Sequence, residues 1–384
     1  MKPYTALASH HLSDRTEPLR PTALKGLEVC ARFGSWLLYG SRELDRYIVV
    51  PESKLSFVTD LTKRMNGTCS LDELASDMGQ PCSRVSRVYQ EFHHAGLTSG
   101  STPQVGLGRF AMVIHKWSLP KVPTLLRKAV ARAFAPLAWI TTACIAAGIV
   151  FGVWQPHIFL LSAPTASVTK WQSLLELVAV FGTAVSVHEL AHMVAAGRFR
   201  LFPQSIIIVA YLGVIPFLLL RIPGLYLLST RRRIVVWLAG VWCNLALCAA
   251  AGILASNISS PALHEFVNRF AVTNLTLAAL NVLPLLPTDG YFVMTTLLRQ
   301  PNLRKRSQRE AFRLLQGRTV RSGLLVAYWF ASIAFTAFLA SRNVHACYEI
   351  VKGIGLWWFT LYALTAAILL TAKFMGGLGY ERQP

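Results

Sequence analysis

A series of apolar runs constrains the fold of this chain more than any other feature. A helix needs about 20 apolar residues to cross a bilayer, and runs of about this length occur at 134–154, 174–196, 234–255, 270–286, 323–340 and 354–372. Charged residues make up 15% of the 384 residues, whereas a soluble domain has about 25%. The sequence therefore predicts a mainly α-helical polytopic membrane protein with about six transmembrane helices.

A further apolar stretch, residues 201–228, lacks the pattern of a straight helix. It is interrupted by prolines and glycines at Pro203, Gly213, Pro216, Pro223 and Gly224. Irregular backbone at membrane depth is tolerated only where other protein covers it. The stretch is therefore predicted to form a re-entrant hairpin or a short pair of strands.

The formal net charge of +20 lies mainly in the segments between the apolar runs. Basic connectors alternate with sparse ones, and the basic side of such a protein faces the cytosol. A topology of six spans with both termini in the cytosol places every basic connector on the cytosolic side. This predicts a multi-pass protein of the cell (cytoplasmic) membrane. The basic segment 299–321 is interpreted as a solvated surface, so no nucleic-acid partner is expected. The seven cysteines are scattered and predict neither a disulfide framework nor a cysteine metal site.

Composition divides the chain into segments of different character. They are a polar N-terminal segment (1–46), a small winged-helix α+β domain (47–100), a basic amphipathic connector (101–133), the membrane core (134–376) and a cytosolic tail (377–384). The connector combines basic residues with apolar pairs, so we expect it to lie on an anionic membrane surface and contact the lipid bilayer.

Within the small domain, hydrophobic spacing and cap signals predict one strand followed by three helices. The expected bounds are 47–51 for the strand and 54–65, 70–79 and 81–97 for the helices. Ser70 and Glu73 have the spacing of a capping box.

The helix entry Asn-Gly-Thr-Cys-Ser-Leu-Asp-Glu-Leu-Ala and the exit His-Ala-Gly-Leu resemble those of small leader-peptide recognition domains. Such domains occur in pathways that modify ribosomally made peptides. The resemblance implies that a peptide adds as a strand along the edge of the wing. The alternative is a generic winged helix for protein contacts or structural support.

Two histidines and a glutamate stand inside the second apolar run, where polar side chains are costly. In His188-Glu-Leu-Ala-His192 the histidines are four residues apart and share one face of a helix. This is the His-Glu-x-x-His zinc motif, in which both imidazoles ligate the metal and the glutamate acts as general base. The pattern predicts a metal on His188 and His192, with Glu189 as the catalytic base.

A third ligand is expected, because catalytic zinc normally takes three protein ligands. Between Glu189 and Glu310 the only acidic residues are Glu265, in a polar connector, and Asp289, just after the fourth run. The predicted topology brings Asp289 to the depth of His192, which lies about 6 Å of helix rise from the inner end of its span. Asp289 is therefore the candidate ligand, and the alternative is that it caps the following helix.

Two further elements accompany the histidine motif. They are Ala239-Gly240-Val-Trp-Cys-Asn244 and Asn281-x-x-Pro284 followed by Asp289-Gly290. Together the three elements resemble the site-2 protease family of intramembrane zinc metalloproteases. Val241 and Thr288 depart from the proline and leucine usual in that family, but neither position is a ligand.

The resemblance implies an intramembrane zinc metalloendopeptidase with one Zn²⁺ ion. It implies the ligands His188, His192 and Asp289, the base Glu189, and substrate-backbone contacts at Asn281 and Asn244. A subfamily with a winged-helix front end occurs in peptide-modification gene clusters, so the expected substrate is a membrane-associated or ribosomally made precursor peptide. Alternatives are a regulatory protease acting on a single-span membrane signalling protein, and a non-catalytic platform for peptide docking, export or immunity.

Overall fold

A computed structural model of the chain describes residues 20–101, 111–120, 122–154, 170–211 and 215–351. The chain forms two compact units, Met1–Gly106 and Leu107–Gln383. Within the described residues, the first unit contains a sheet followed by three helices, and the second combines another sheet with longer helices.

The first unit begins with an antiparallel sheet in the order β1-β2-β3. Its strands are β1 Glu28–Phe33, β2 Trp36–Ser41 and β3 Arg46–Pro51. A two-residue loop joins β1 to β2, and there Gly34 adopts a φ of +58°, which glycine takes without steric cost. The helices that follow are α1 Leu55–Arg64, α2 Leu71–Asp77 and α3 Cys82–His94.

Large apolar side chains form the core of the first unit. Leu61 of α1 and Phe92 of α3 are fully buried, and Leu74 of α2 packs in the same cluster as Leu61. The capping box predicted at α2 is confirmed. Ser70 Oγ accepts a hydrogen bond from the backbone N–H of Glu73 at 3.3 Å, and the Ser70 N–H donates to Oε2 of Glu73 at 2.6 Å.

The predicted strand at 47–51 and the three predicted helices are confirmed, but the folded unit begins earlier than expected. Residues 28–46 of the polar segment predicted over 1–46 belong to this folded unit, because β1 and β2 pair with β3 in one sheet. The stretch is polar because charged side chains occupy exposed positions of β1. Glu28, for example, forms an ion pair with Arg42. Residues 1–19 lie outside the described part of the chain.

The second unit combines a three-stranded antiparallel sheet, in the order β4-β5-β6, with helices. The strands are β4 Ala111–Ser118, β5 Ser205–Tyr211 and β6 Ile215–Arg221. The helices are α4 Thr124–Trp154, α5 Lys170–Arg198, α6 Thr230–Ala255, α7 Pro261–Val282, α8 Asp289–Leu297, α9 Leu303–Leu315 and α10 Gly323–Val351. The pairing of β5 with β6 confirms the strand pair predicted within 201–228.

Helices in the described residues that are long and apolar enough to cross a membrane are Thr124–Val153, Val178–Arg198, Thr230–Ala255 and Gly323–Arg342. They correspond to the first, second, third and fifth predicted runs and indicate a membrane protein. Helix α7 covers most of the fourth run, but its first turns carry His264, Glu265 and Arg269, which reduce its apolar character. The sixth run, 354–372, and the tail 377–384 lie outside the described residues.

The connector predicted over 101–133 contains regular structure in its described part. Ala111–Ser118 is β4, which pairs with β5, and residues 124–133 form the first turns of α4. Lys116 lies on β4, an edge strand, where exposed basic side chains are tolerated, and Arg127, Lys128 and Arg132 lie in the first turns of α4. Basic composition therefore does not exclude a strand here.

Candidate metal centre

Helix α5 carries both predicted imidazoles on the face that it turns toward α6. His188 and His192 are each 6% exposed, and their Nε2 atoms are 3.1 Å apart. Side chains four residues apart on one helix face meet in this way. Glu189 lies beside them, and the ligand atoms of the three residues fall within 4.8 Å of one another. This buried group is able to bind a metal ion.

Asp289, the first residue of α8, reaches both imidazoles. Its Oδ2 lies 3.1 Å from Nε2 of His188 and 3.3 Å from Nε2 of His192, and the residue is buried. Thr288, and not Asp289, occupies the N-cap position of α8, so the carboxylate is directed to the imidazoles instead of capping the helix. Two helices far apart in the sequence thus bring their polar side chains to one point.

The turn between α7 and α8 places Asp289. A Cβ on Gly290 would strike the backbone carbonyl of Val282, so only glycine lets α8 start this close to the end of α7. From α10, the Tyr328 hydroxyl donates a hydrogen bond to the carbonyl oxygen of Pro284 at 2.7 Å. The segment that leads into Asp289 is therefore held from two sides.

The three converging ligand atoms are spaced closely enough to bind one metal ion. Zinc bonds to imidazole nitrogen and carboxylate oxygen are about 2.0–2.2 Å long, so two donors of a tetrahedron lie roughly 3.3–3.5 Å apart. The observed separations of 3.1, 3.1 and 3.3 Å are close to these values. Three protein donors also leave the fourth position that catalytic sites keep for water or substrate.

Helix α6 fixes the second nitrogen of His192. Nδ1 of His192 donates a hydrogen bond to the carbonyl oxygen of Val236 at 2.7 Å. This bond orients the ring and leaves the Nε2 lone pair available to a metal. His188 differs, because none of the described residues hydrogen-bonds to its Nδ1.

Gly240 of α6 lies directly against both imidazoles. A Cβ at this position would fall 2.6 Å from Nε2 of His192 and even closer to Nε2 of His188. A side chain here would occupy the space beside the ligand atoms, so the site requires glycine. The sequence places Gly240 in a motif without indicating this role. The available signal is a glycine inside a helical run, which often marks a close approach.

Glu189 connects the centre with the sheet. Its carboxylate lies within hydrogen-bonding reach of the backbone of Leu220 in β6, and β6 is an edge strand of its sheet. An edge strand presents backbone groups to which another extended chain can pair. The acid beside the two imidazoles therefore lies next to a strand edge.

The two candidate asparagines do not join the four residues at the centre. The amide of Asn281 donates to the carbonyl of Leu277 in its own helix at 2.9 Å. Asn244 is fully buried one turn beyond Gly240, and none of the described residues hydrogen-bonds to its side chain. Asn274 of α7 is also fully buried and is absent from the sequence-based candidates, although a polar residue in an apolar run is a recognised signal.

Comparisons with protein-family models, with curated proteins and with solved structures found no match to this chain. Function is therefore inferred from the site itself. That site is a buried group able to bind a metal ion, in a protein with four described helices that are apolar enough to cross a membrane.

Proposed function

We propose that this protein is an intramembrane zinc metalloendopeptidase. The observation that carries the proposal is the triangle of Nε2 of His188, Nε2 of His192 and Oδ2 of Asp289, with edges of 3.1–3.3 Å, beside the carboxylate of Glu189. Two imidazoles, one carboxylate and a neighbouring base form a donor set typical of zinc peptidases. Because imidazole nitrogen predominates, zinc suits the site better than magnesium or calcium.

The chemistry follows from the placement of the residues. Zn²⁺, when bound, supplies the Lewis acidity that polarises a peptide carbonyl and acidifies water. Glu189 would take the proton from the attacking water and deliver it to the leaving amine. The bond from His192 to Val236 keeps that ring in a fixed orientation during the reaction. Burial of the ligands excludes bulk water, which strengthens the electrostatic interactions within the site.

The edge of β6 supports an extended peptide as the substrate. A transmembrane helix has its carbonyls in hydrogen bonds, so hydrolysis requires an unwound segment. Such a segment would pair with β6 as an added strand, and Leu220 of that strand contacts Glu189. We therefore propose that the substrate is a membrane-associated precursor peptide or a single-span membrane protein.

The first unit is proposed to be a winged-helix domain that recognises such a peptide. Its sheet leaves β1 and β3 as edge strands, and a leader segment would add to one of them. For the second unit we propose six spans with both termini in the cytosol. These are the four apolar helices, α7 and residues 354–372. This topology brings Asp289 and the two histidines close to the inner face of the membrane.

The test is Glu189→Gln in full-length protein reconstituted in lipid nanodiscs. The variant should retain zinc but lose cleavage by about 10²–10⁴-fold, the contribution of a general base. Zinc is measured by elemental analysis, and cleavage on a panel of fluorescence-quenched single-span peptides that contain a Gly-Pro break. The control is Glu265→Gln, which removes a carboxylate that is ion-paired with Arg269 in α7. Wild-type cleavage by Glu189→Gln, or wild-type protein without zinc, would refute the proposal.

A further inference from the structure

Three buried side chains, one each on α5, α6 and α7, have polar atoms to which none of the described residues hydrogen-bonds. These atoms are Nδ1 of His188, Oδ1 and Nδ2 of Asn244, and Oδ1 of Asn274. Both asparagines are 0% exposed. Burying a polar group without a partner is costly, particularly in a membrane protein, where lipid cannot replace the partner. Groups of this kind point to a bound water or ligand.

Helices α5 and α6 run antiparallel, and this sets Asn244 close to the level of His188. The carbonyl of Val236 binds His192, and Gly240, one turn later, faces both imidazoles. One turn back from His192 along α5 is His188, and one turn beyond Gly240 along α6 is Asn244. Val236 of α6 is the hydrogen-bond partner of His192. By the same geometry, the partner of His188 should come from the turn of α6 that ends at Asn244.

Asn274 reaches the same level from α7. In the contact between α6 and α7, Cys248 packs with Ala271. About one turn from this contact toward the metal centre, α6 presents Asn244 and α7 presents Asn274. Buried neighbours along this interface include the small residues Ala271 and Ala278.

We propose that Asn244 and Asn274 hold a buried water molecule that accepts the Nδ1–H of His188. The water would donate to Oδ1 of each asparagine, which gives it the three hydrogen bonds typical of buried water. A histidine that ligates a metal almost always donates its other N–H to a carboxylate, carbonyl or water. Asn244 is then a positioning residue for His188 and not a direct substrate contact. The inference rests on the proposed zinc centre.

Zinc affinity is the first readout, measured on full-length protein in nanodiscs by competition with a chromogenic chelator. Asn244→Leu should weaken zinc binding about 10–100-fold, the usual effect of losing such a partner. Asn244→Ser retains an acceptor and should weaken binding less, and it replaces the leucine variant if that variant does not fold. The control is Asn257→Leu, because the Asn257 amide bonds only to residues near its own helix end.

Zinc affinity of Asn244→Leu equal to wild type would overturn the positioning role. Asp289→Ala, measured in parallel, separates this outcome from failure of the proposed function. If Asp289→Ala loses zinc and Asn244→Leu does not, the metal centre stands and only the positioning role falls. Wild-type protein that binds no zinc would remove both.

The water is tested by X-ray hydroxyl-radical footprinting, which labels side chains next to bound water. Cys248 is 5% exposed and one turn from Asn244, whereas Cys30 is 6% exposed in the first unit and serves as the control. Labelling should be several-fold stronger at Cys248 than at Cys30, and Asn274→Leu should remove the excess. Equal labelling of the two cysteines would overturn the water. Weakened zinc affinity without excess labelling would assign a direct contact between Asn244 and His188.

Discussion

The two units of this protein differ in the kinds of side chain that they bury. In the first unit the fully buried residues are large and apolar, such as Leu61 and Phe92. In the second unit many of the buried residues are small or polar, such as Ala184 and Asn244, whereas Leu324 is 81% exposed. Among the described residues, the second unit thus buries a larger share of small and polar side chains than the first.

The surroundings of each unit explain this difference. Water drives large apolar side chains into the interior of the first unit. Lipid is as apolar as leucine, so helices in a membrane associate through small residues and polar contacts instead. Small residues also let helices approach closely, as at Gly240, where α6 lies against both imidazoles. The packing that suits a membrane thus leaves room for a buried metal centre.

The largest expected effect is the loss of zinc from the second unit when the proposed ligand Asp289 is removed. Asp289→Ala leaves two imidazoles without their carboxylate partner, and we expect zinc content to fall from about one ion per chain to a small fraction of that. Elemental analysis of protein in nanodiscs measures the content. Asp60→Ala is the control, because Asp60 forms an exposed ion pair with Arg64 in the first unit. Unchanged zinc content in Asp289→Ala would exclude Asp289 as a ligand.

The close approach at Gly240 offers a test in which the two expected effects differ. Gly240→Ala places a methyl group against Nε2 of both histidines and should weaken zinc binding at least about tenfold. Gly182→Ala in α5 meets no atom within 4 Å. It should leave zinc affinity unchanged and stabilise the helix by roughly 0.5–1 kcal/mol. Chelator competition measures the first effect and thermal unfolding the second. Equal zinc affinities in the two variants would show that the space beside the imidazoles is not needed.

A pair of leucine substitutions tests the difference between the two units in where large apolar side chains lie. Leu61→Ala removes a fully buried side chain and should destabilise the first unit by about 2–5 kcal/mol. Leu324→Ala removes an exposed one and should change stability by less than about 0.5 kcal/mol. Thiol labelling on denaturation reports each unit separately, because Cys30 and Cys248 are buried in the first and second unit. Similar losses in both variants would contradict the comparison.

Local patterns in the sequence predict much of the site. The four-residue spacing of His188 and His192 requires only one helix, and the capping box at Ser70 requires only its first turn. Asp289 is predictable because acidic residues are rare in this part of the chain, which leaves few candidates for the third ligand. The roles of Gly240 and Asn274 are not predictable in this way, because they depend on which residues of a neighbouring helix these two contact.

The strands show more clearly that local sequence patterns do not predict distant contacts. β4 pairs with β5, which follows it only after two long helices, and no local pattern specifies so distant a partner. Its exposed Lys116 belongs to an edge strand, and the same composition is typical of a surface connector. For β1 and β2 a signal was available, because Gly34 begins a two-residue loop between apolar strands. Charged residues such as Glu28 obscured that signal.

A smaller effect than that of Leu61→Ala is expected at the cap of α2. Ser70→Ala removes the N-cap oxygen and should cost the first unit about 1 kcal/mol. Hydrogen bonds from the backbone and side chain of Ser70 hold the pKa of Glu73 below its ordinary value. The ionised carboxylate therefore stabilises the fold above that ordinary pKa, and this contribution is lost as the pH falls through the lowered pKa.

Ser70→Ala should thus also flatten the acid dependence of stability in the first unit, since the variant loses one of the two bonds that lower this pKa. Labelling of Cys30 under denaturant across a pH series measures both the loss and the flattening. Ser83→Ala, at an exposed position of α3, is the matched control and should change neither. A variant at Ser70 that behaves like the one at Ser83 would show that the first unit depends on its apolar interior alone. The two units would then differ more strongly, because polar contacts are part of the packing in the second.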